Sequence, residues 1–353
     1  MTLRRSLLAA ASLAPSLAAT LAATLSAPGI ARGQALPRVR FTLDWAFQAP
    51  NAFAIVARER GFYREAGVDV AIDRGQGSGS VPVSLAAGTH DIGYADLSPT
   101  LRFLAENPTR DLVAIAILHD RSPLCVITRA DGPVRTPADL AGRRLAAPDN
   151  DAARQLFPAF ARAAGLDAAR VTFLSVSPAL REPMFLRREV DGITAHIATA
   201  GIALQGLGLR PEDQRVFMYN DHGLDLYGGA ILTTRAYIAR NPDVVRRVVA
   251  ASIRGFLSQA ADPAGAMEIL RRVEPLTDVA LELARHRLTM ERLVVTDHVR
   301  RNGISSVVPA RLEKSLEAVQ QAFNLPPTFQ AAQLYTPEFL PPADQLRLPA
   351  TAT

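Results

Sequence analysis

The chain has 353 residues, 48% hydrophobic and 21% charged, which fits one large or two medium globular domains and excludes disorder, a rod or a disulfide scaffold. One cysteine, Cys125, excludes an intramolecular disulfide and any multi-cysteine metal site. The net charge is +5; three arginines (Arg4, Arg5, Arg32) lie in the first 35 residues, which hold no acid, so the remainder carries +2 and no basic stripe suited to nucleic acid.

The chain opens on a targeting pattern. Arg4-Arg5 is a charged n-region, Leu7 to Leu25 is uncharged and Ala/Leu-rich, and Gly33-Gln34-Ala35 puts small residues before a cleavage point. Residues 1–35 are therefore expected to be a signal peptide, with Ala31 after Gly29 as a second cleavage candidate. Pro15 and the Ala, Ser and Thr content weaken a retained anchor. Leu3-Arg4-Arg5-Ser6-Leu7-Leu8 also resembles the twin-arginine motif, so the export route stays open. A soluble periplasmic protein without a lipid anchor follows.

From Val39 strands and helices alternate. Strands are expected at Arg40–Leu43, Val68–Ile72, Asp91–Ala95, Leu112–Leu118 and Leu124–Thr128, with helices at Ala52–Arg60, from Ser80 to Gly88, and at Thr100–Glu106. A second set follows: strands Arg144–Ala147, Val171–Val176, Ile193–Ala195, Val216–Tyr219 and Gly228–Thr233, a short capped helix at Thr136–Leu140 and a longer one at Asp151–Ala164. The remainder is helical (Asp243–Ala260, Ala264–Arg272, Asp278–Leu293, Ala310–Ala322) and ends in a Pro-rich tail expected to wrap the surface. Such alternation implies parallel sheets covered on both faces. The chain crossings are expected near Arg121–Pro123 and Asp225–Gly228, which gives a first lobe over 36–122 and 228–353 and a second over 123–227.

Gly75-Gln76-Gly77-Ser78-Gly79-Ser80 lies between a strand and a helix start. It is neither a dinucleotide fingerprint, a P-loop nor a nucleophile elbow. Its glycines and the helix start suit a ligand, an anion especially, while a plain loop with Ser80 as N-cap stays open. Asp44-Trp45 follows the first strand at its C-terminal end, where α/β sheets bind ligands; the sole tryptophan is a ligand platform or a core residue. Asp149-Asn150-Asp151 precedes a helix and is a ligand loop or a cap. The six histidines form no metal-binding spacing. His196 ends a strand and faces a cleft or water; His286 and His298 are expected on solvated helical faces. Cys125, in an apolar strand, reads as a buried, inert thiol. No nucleophile–base pair or metal set is visible, so neither an enzyme nor a cofactor is expected.

These motifs, in order, carry a resemblance. Phe41-Thr42-Leu43-Asp44-Trp45 with Pro50-Asn51, then Gly61-Phe62-Tyr63, Ala66-Gly67-Val68-Asp69-Val70, Ser84–Gly93, Thr136–Gly142 and Arg188–Gly192 are similar to the type II periplasmic solute-binding proteins of ABC importers. The matching branch holds the sulfonate-, taurine- and thiamine-pyrimidine-precursor-binding proteins. The resemblance covers about Val39 to Gly255. It implies an α/β fold of two Rossmann-like lobes joined by a two-strand hinge, with C-terminal helices packed on lobe one, closing on a small molecule. The implied partners are an ABC permease and its ATPase subunit, and the chain is expected to be a monomer.

By motif position the implied ligand residues are Asp44, Trp45, Asn51, Gly77, Ser78, Gly79, Ser80 and Asp96 in lobe one, and Asn150, Asp151, Arg154, Glu182, His196, Asp221 and Tyr227 in lobe two. The branch also resembles a eukaryotic pyrimidine-precursor synthase, but that enzyme's cysteine-rich iron-binding run has no counterpart here. Six carboxylates fall in the expected cleft loops: Asp44, Asp96, Asp149, Asp151, Asp221 and Asp225. They favour a ligand rich in N–H donors, such as a thiamine pyrimidine precursor. The glycine turn with Arg154 or Arg181 keeps a sulfonate open as the alternative.

Overall fold

The computed structural model describes residues 35–327 and 330–351, so the expected signal peptide lies outside the described residues except for Ala35. The strands are β1 (Arg38–Thr42), β2 (Asp69–Asp73), β3 (Ile92–Asp96), β4 (Leu112–Ile117), β5 (Leu124–Arg129), β6 (Arg144–Ala147), β7 (Thr172–Ser175), β8 (Gly192–His196), β9 (Gln214–Met218) and β10 (Gly229–Thr234). They form two five-stranded sheets, in the orders β2-β1-β3-β10-β4 and β7-β6-β8-β5-β9.

Neither sheet is purely parallel, which corrects the expectation from the alternating pattern. In the first, β1 pairs in parallel with β2 and β3, while β10 runs antiparallel to β3 and β4. In the second, β6 pairs in parallel with β7 and β8, while β5 runs antiparallel to β8 and β9. The reason is connectivity. β5 and β10 each begin just after the chain has passed from the other sheet, at residues 118–123 and 219–228, and each enters from the opposite end. The two passages lie side by side: the Leu118 and Ser122 amides donate to Gly229 O (2.8 Å) and Leu226 O (2.9 Å), and Gly228 N donates to His119 O (3.0 Å). Two hydrogen-bonded strands of chain thus join the lobes.

The long helix Pro242–Ala261, with Pro at its first turn, lays Val245, Val248, Val249 and Phe256 into a core with Phe41, Phe53 and Ile55. Tyr63 and Ser252 satisfy each other's buried hydroxyls at 2.9 Å. The C-terminal helices do not keep to lobe one, as had been expected. Val279–Thr289 touches both the Ala49–Asn51 turn and the Ile197–Gly206 segment of lobe two. Pro309–Phe323 packs on Leu97–Glu106 and also on Ala152–Ala163. One apolar core accordingly runs through both lobes, joining Leu101 and Leu104 to Leu156, Phe160, Leu312 and Leu316. A helical period marks an apolar face but not what covers it.

The tail does more than wrap the surface. Leu334 is buried, its carbonyl accepts the Ala114 amide (2.6 Å), and Thr336 N donates back to Ala114 O (3.0 Å) along β4. Among the described residues no helix is long and apolar enough to cross a membrane.

Candidate functional site

Between the lobes lies a cavity lined by Asp44, Trp45, Gln48, Pro50, Asn51, Gly77, Ser78, Tyr94, Asp96 and Gly229 from one side. Asp151, Ala152, Arg181, His196 and Thr199 face it from the other, with His119, Pro123 and Leu124 at the crossing. The lobe-one residues sit where β1, β3 and the glycine loop end, the position where α/β sheets expose ligand-facing loops.

Asp44 and Asp96 are the electrostatic centre of this wall. Ser78 joins them: its hydroxyl donates to Asp44 Oδ2 (3.0 Å) and accepts the Asp96 amide (3.2 Å). Asn51 Nδ2 reaches Asp44 Oδ1 at 3.4 Å. Asp96 caps the helix Leu97–Glu106 through Ser98 N (2.9 Å) and accepts Ser122 Oγ (3.3 Å). Among the described residues neither carboxylate forms an ion pair. Burial pushes Asp44 up to about 6, against the pull of its bonds from Ser78 and Asn51. Burial, reinforced by the charge of Asp44, pushes Asp96 up to about 7. Two carboxyl groups in one dry pocket resist ionising together.

The opposite wall is neutralised. Arg181, 2% exposed, pairs with Asp151 (3.2 Å) and Glu182 (2.7 Å). Burial works against its charge, but the two carboxylates outweigh it and hold the guanidinium ionised. Its guanidinium carbon stands 5.3 Å from the Trp45 ring centroid, a cation–π contact across the cleft. Thr194 Oγ1 donates to Asp151 Oδ1 at 3.0 Å.

The two histidines are held neutral. Burial lowers His119 to about 4 and, with the charge of Arg181, puts His196 well below its ordinary value. His196 Nδ1 accepts the Ala198 amide (3.2 Å), so the neutral ring carries its proton on Nε2. Tyr94 Oη lies 3.3 Å from His119.

The glycine turn has another role than the one its sequence suggests. Three of the four amides in Gly77–Ser80 are already bonded: Gly77 N to Asp44 O (2.7 Å), Gly79 N to Asn150 O (3.1 Å) and Ser80 N to Gly77 O (3.1 Å). Gly77 has φ +136°, and a Cβ there would run into the Asn150 carbonyl; one on Gly79 would run into Gln155. These glycines let lobe one approach lobe two.

Of the residues expected at the ligand, Asp44, Trp45, Asn51, Gly77, Ser78, Asp96, Asp151 and His196 line the cavity. Gly79, Ser80 and Asn150 stand behind it in the interlobe contact. Arg154 points to Ala147 O, Ser175 and Asp149, away from the cavity. Glu182 is occupied by Arg181. Asp221 is exposed beside Arg121, 3.5 Å away. Tyr227, 2% exposed, accepts the Val308 amide (2.8 Å) and lies under Arg311, a core position at the hinge. So only three of the six acidic loop positions reach the cavity, because Asp149, Asp221 and Asp225 pair outward with arginines. Gln48, His119 and Thr199 were not anticipated as ligand-facing; His119, just beyond a strand's end, bore the positional signal that marks Trp45.

The NMT1/THI5 like family model matches residues 49–266. A riboflavin-binding protein, RibY, of Chloroflexus aurantiacus is 23% identical over 281 residues, 78% of each chain. A formylaminopyrimidine-binding protein of Halalkalibacterium halodurans is 26% identical over 250 residues, 67% of this chain and 71% of its own. The fold is that of periplasmic binding proteins: the alkanesulfonate-binding protein SsuA of Xanthomonas axonopodis pv. citri, bound to MOPS, superposes with a TM-score of 0.65 at 22% identity over 86% of this chain and 99% of its own. With more than half of its length matched, two lobes and an interlobe cavity, the chain belongs to the NMT1/THI5-like family.

Proposed function

We propose that the chain is the exported solute-binding receptor of an ABC importer, and that its ligand is a nitrogen-rich heteroaromatic presenting N–H donors, of the formylaminopyrimidine kind. The carrying observation is the Asp44–Ser78–Asp96 unit, a half-buried and a buried carboxyl group that face the cavity with no cation paired to either among the described residues. A ligand N–H or ring cation satisfies them, and a sulfonate meets repulsion. Arg181 does not offset this, because two carboxylates already claim it. The anion reading also loses most of its backbone donors, since three of the four amides in Gly77–Ser80 are already bonded. Riboflavin and formylaminopyrimidine, named for the two relatives, are both nitrogen-rich ring systems.

Function is capture by closure. Ligand contacts from both walls favour the closed form, a permease reads that form, and no bond need be made or broken. Signal-peptide removal leaves a mature protein whose N-terminus falls between Arg32 and Arg40, which N-terminal sequencing of the periplasmic protein checks. Calorimetric titration with a formylaminopyrimidine, riboflavin and taurine tests the ligand class. Micromolar binding of either heteroaromatic supports it; micromolar taurine with both rings silent overturns it.

A further inference from the structure

Part of the cavity wall of lobe one is a short turn braced from far along the chain. Ala49–Asn51 is a single turn of 3-10 helix, yet Gln48, Pro50 and Asn51 all face the cavity. Both backbone groups of Ala49 are held from far along the chain: its amide donates to Glu282 Oε2 (2.6 Å), and its carbonyl accepts Gln259 Nε2 (2.7 Å). The turn then passes this geometry on. Asn51 Oδ1 accepts the Gln48 amide (3.2 Å), and Asn51 Nδ2 reaches Ala46 O (3.1 Å) and Asp44.

Glu282 is 4% exposed and its other oxygen bonds Arg285, itself 6% exposed. His286 on the next position is also buried and meets Gln259 at 3.2 Å. An ion pair taken out of water this completely is weak support for stability alone, because desolvation cancels most of the attraction. The helix Val279–Thr289 that carries the pair lies across the junction. It touches Ala49–Asn51 on one lobe and Ile197–Gly206, which bears Thr199 of the cavity, on the other, with Leu281 against Gly206.

We propose that Glu282 is a positioning residue for ligand capture, and that its helix straps the two cavity walls together. Through Ala49 and Asn51 it sets the place of Asp44, and through the far face of the helix it ties that place to lobe two. The proposal rests on the interlobe cavity being the ligand site.

The test compares Glu282→Ala and Glu282→Gln with the full mature chain, and with Glu268→Ala, an exposed pair partner of Arg271, as control. Binding of a formylaminopyrimidine is read by calorimetry and stopped flow. Glu282→Ala is expected to weaken affinity tenfold or more, chiefly through faster dissociation. Glu282→Gln keeps an oxygen for the Ala49 amide but turns an N–H2 toward the buried Arg285, so its affinity should fall between those of wild type and Glu282→Ala. Equal affinities in all four proteins, with only the melting temperature lowered, overturn the proposal.

Hydrogen exchange without ligand gives a readout that survives failure of the pyrimidine reading. Glu282→Ala should lose protection both at residues 48–52 and at 197–206, and Glu282→Gln less at each. Loss confined to 48–52 makes Glu282 a local support and overturns the strap, whatever the probe does.

Discussion

Asp96→Asn isolates the cost of the acidic wall. Asparagine keeps the cap on Leu97–Glu106, since its side-chain oxygen also accepts the Ser98 amide, but it cannot ionise. In wild type Asp96 sits at about 7 in the folded state against an ordinary 3.8. Between those values the folded protein holds a proton that the unfolded chain has released, so stability falls as pH rises through that window. At 1.36 kcal/mol per pH unit the whole span is worth about 4 kcal/mol. The variant imitates the protonated form and escapes the fall. Its advantage over wild type should be near zero at pH 4 and approach about 4 kcal/mol at pH 8. His119 and His196, lowered by burial, act in the opposite sense, since stability gained from them grows as pH rises toward their unfolded value. They are present in both proteins and drop out of the difference. Urea denaturation of the ligand-free proteins at pH 4 to 8 measures it. Parallel stability curves would mean that Asp96 is ionised in the folded state without cost, and the case for an N–H-donating ligand would fall with it.

Trp45→Ala should weaken ligand binding about tenfold, by analogy with base–aromatic stacking of about 1–3 kcal/mol, while the melting temperature changes little. A collapse of the melting temperature at unchanged affinity would make Trp45 a core residue. Gly77→Ala places a methyl against the Asn150 carbonyl, so small-angle scattering with saturating ligand should show a more open molecule than wild type. Tyr227→Phe removes the hydroxyl that accepts the Val308 amide and faces Arg311 and should cost about 1 kcal/mol in denaturation, with affinity unaltered.

All ten strands were legible as short runs between turn signals; β3 and β4 are buried throughout, while the edge strand β7 is not. Their directions were not, since a run of Val, Ile and Leu reads alike in either sense; β5 and β10 needed the chain path. At the site, Trp45 was readable from its place after a strand, while Asp96 came only with the family resemblance; both line the cavity. The glycine turn misled because sequence shows that a backbone must come close to something, without saying whether that is a ligand or Asn150. His286 was expected in water and is 7% exposed. Nothing local reveals that Glu282 accepts an amide 233 positions earlier, braced by Arg285, or that His286 meets Gln259. Such long-range polar matching is invisible to periodicity.

The insertion of β10 between β3 and β4 also orders the birth of the structure. The strands of the second sheet lie in one continuous stretch, from Leu124 to Met218, so that sheet can be completed by chain already present. The first sheet has a gap at its centre until Gly229–Thr234 arrives, and β3 and β4 have no partner in common before then. Loop closure across that distance is slow relative to local pairing. In a refolding chain pulse-labelled with deuterium, the inserted lobe should therefore become protected first. The outer lobe, although it begins earlier in the sequence, should close around it last.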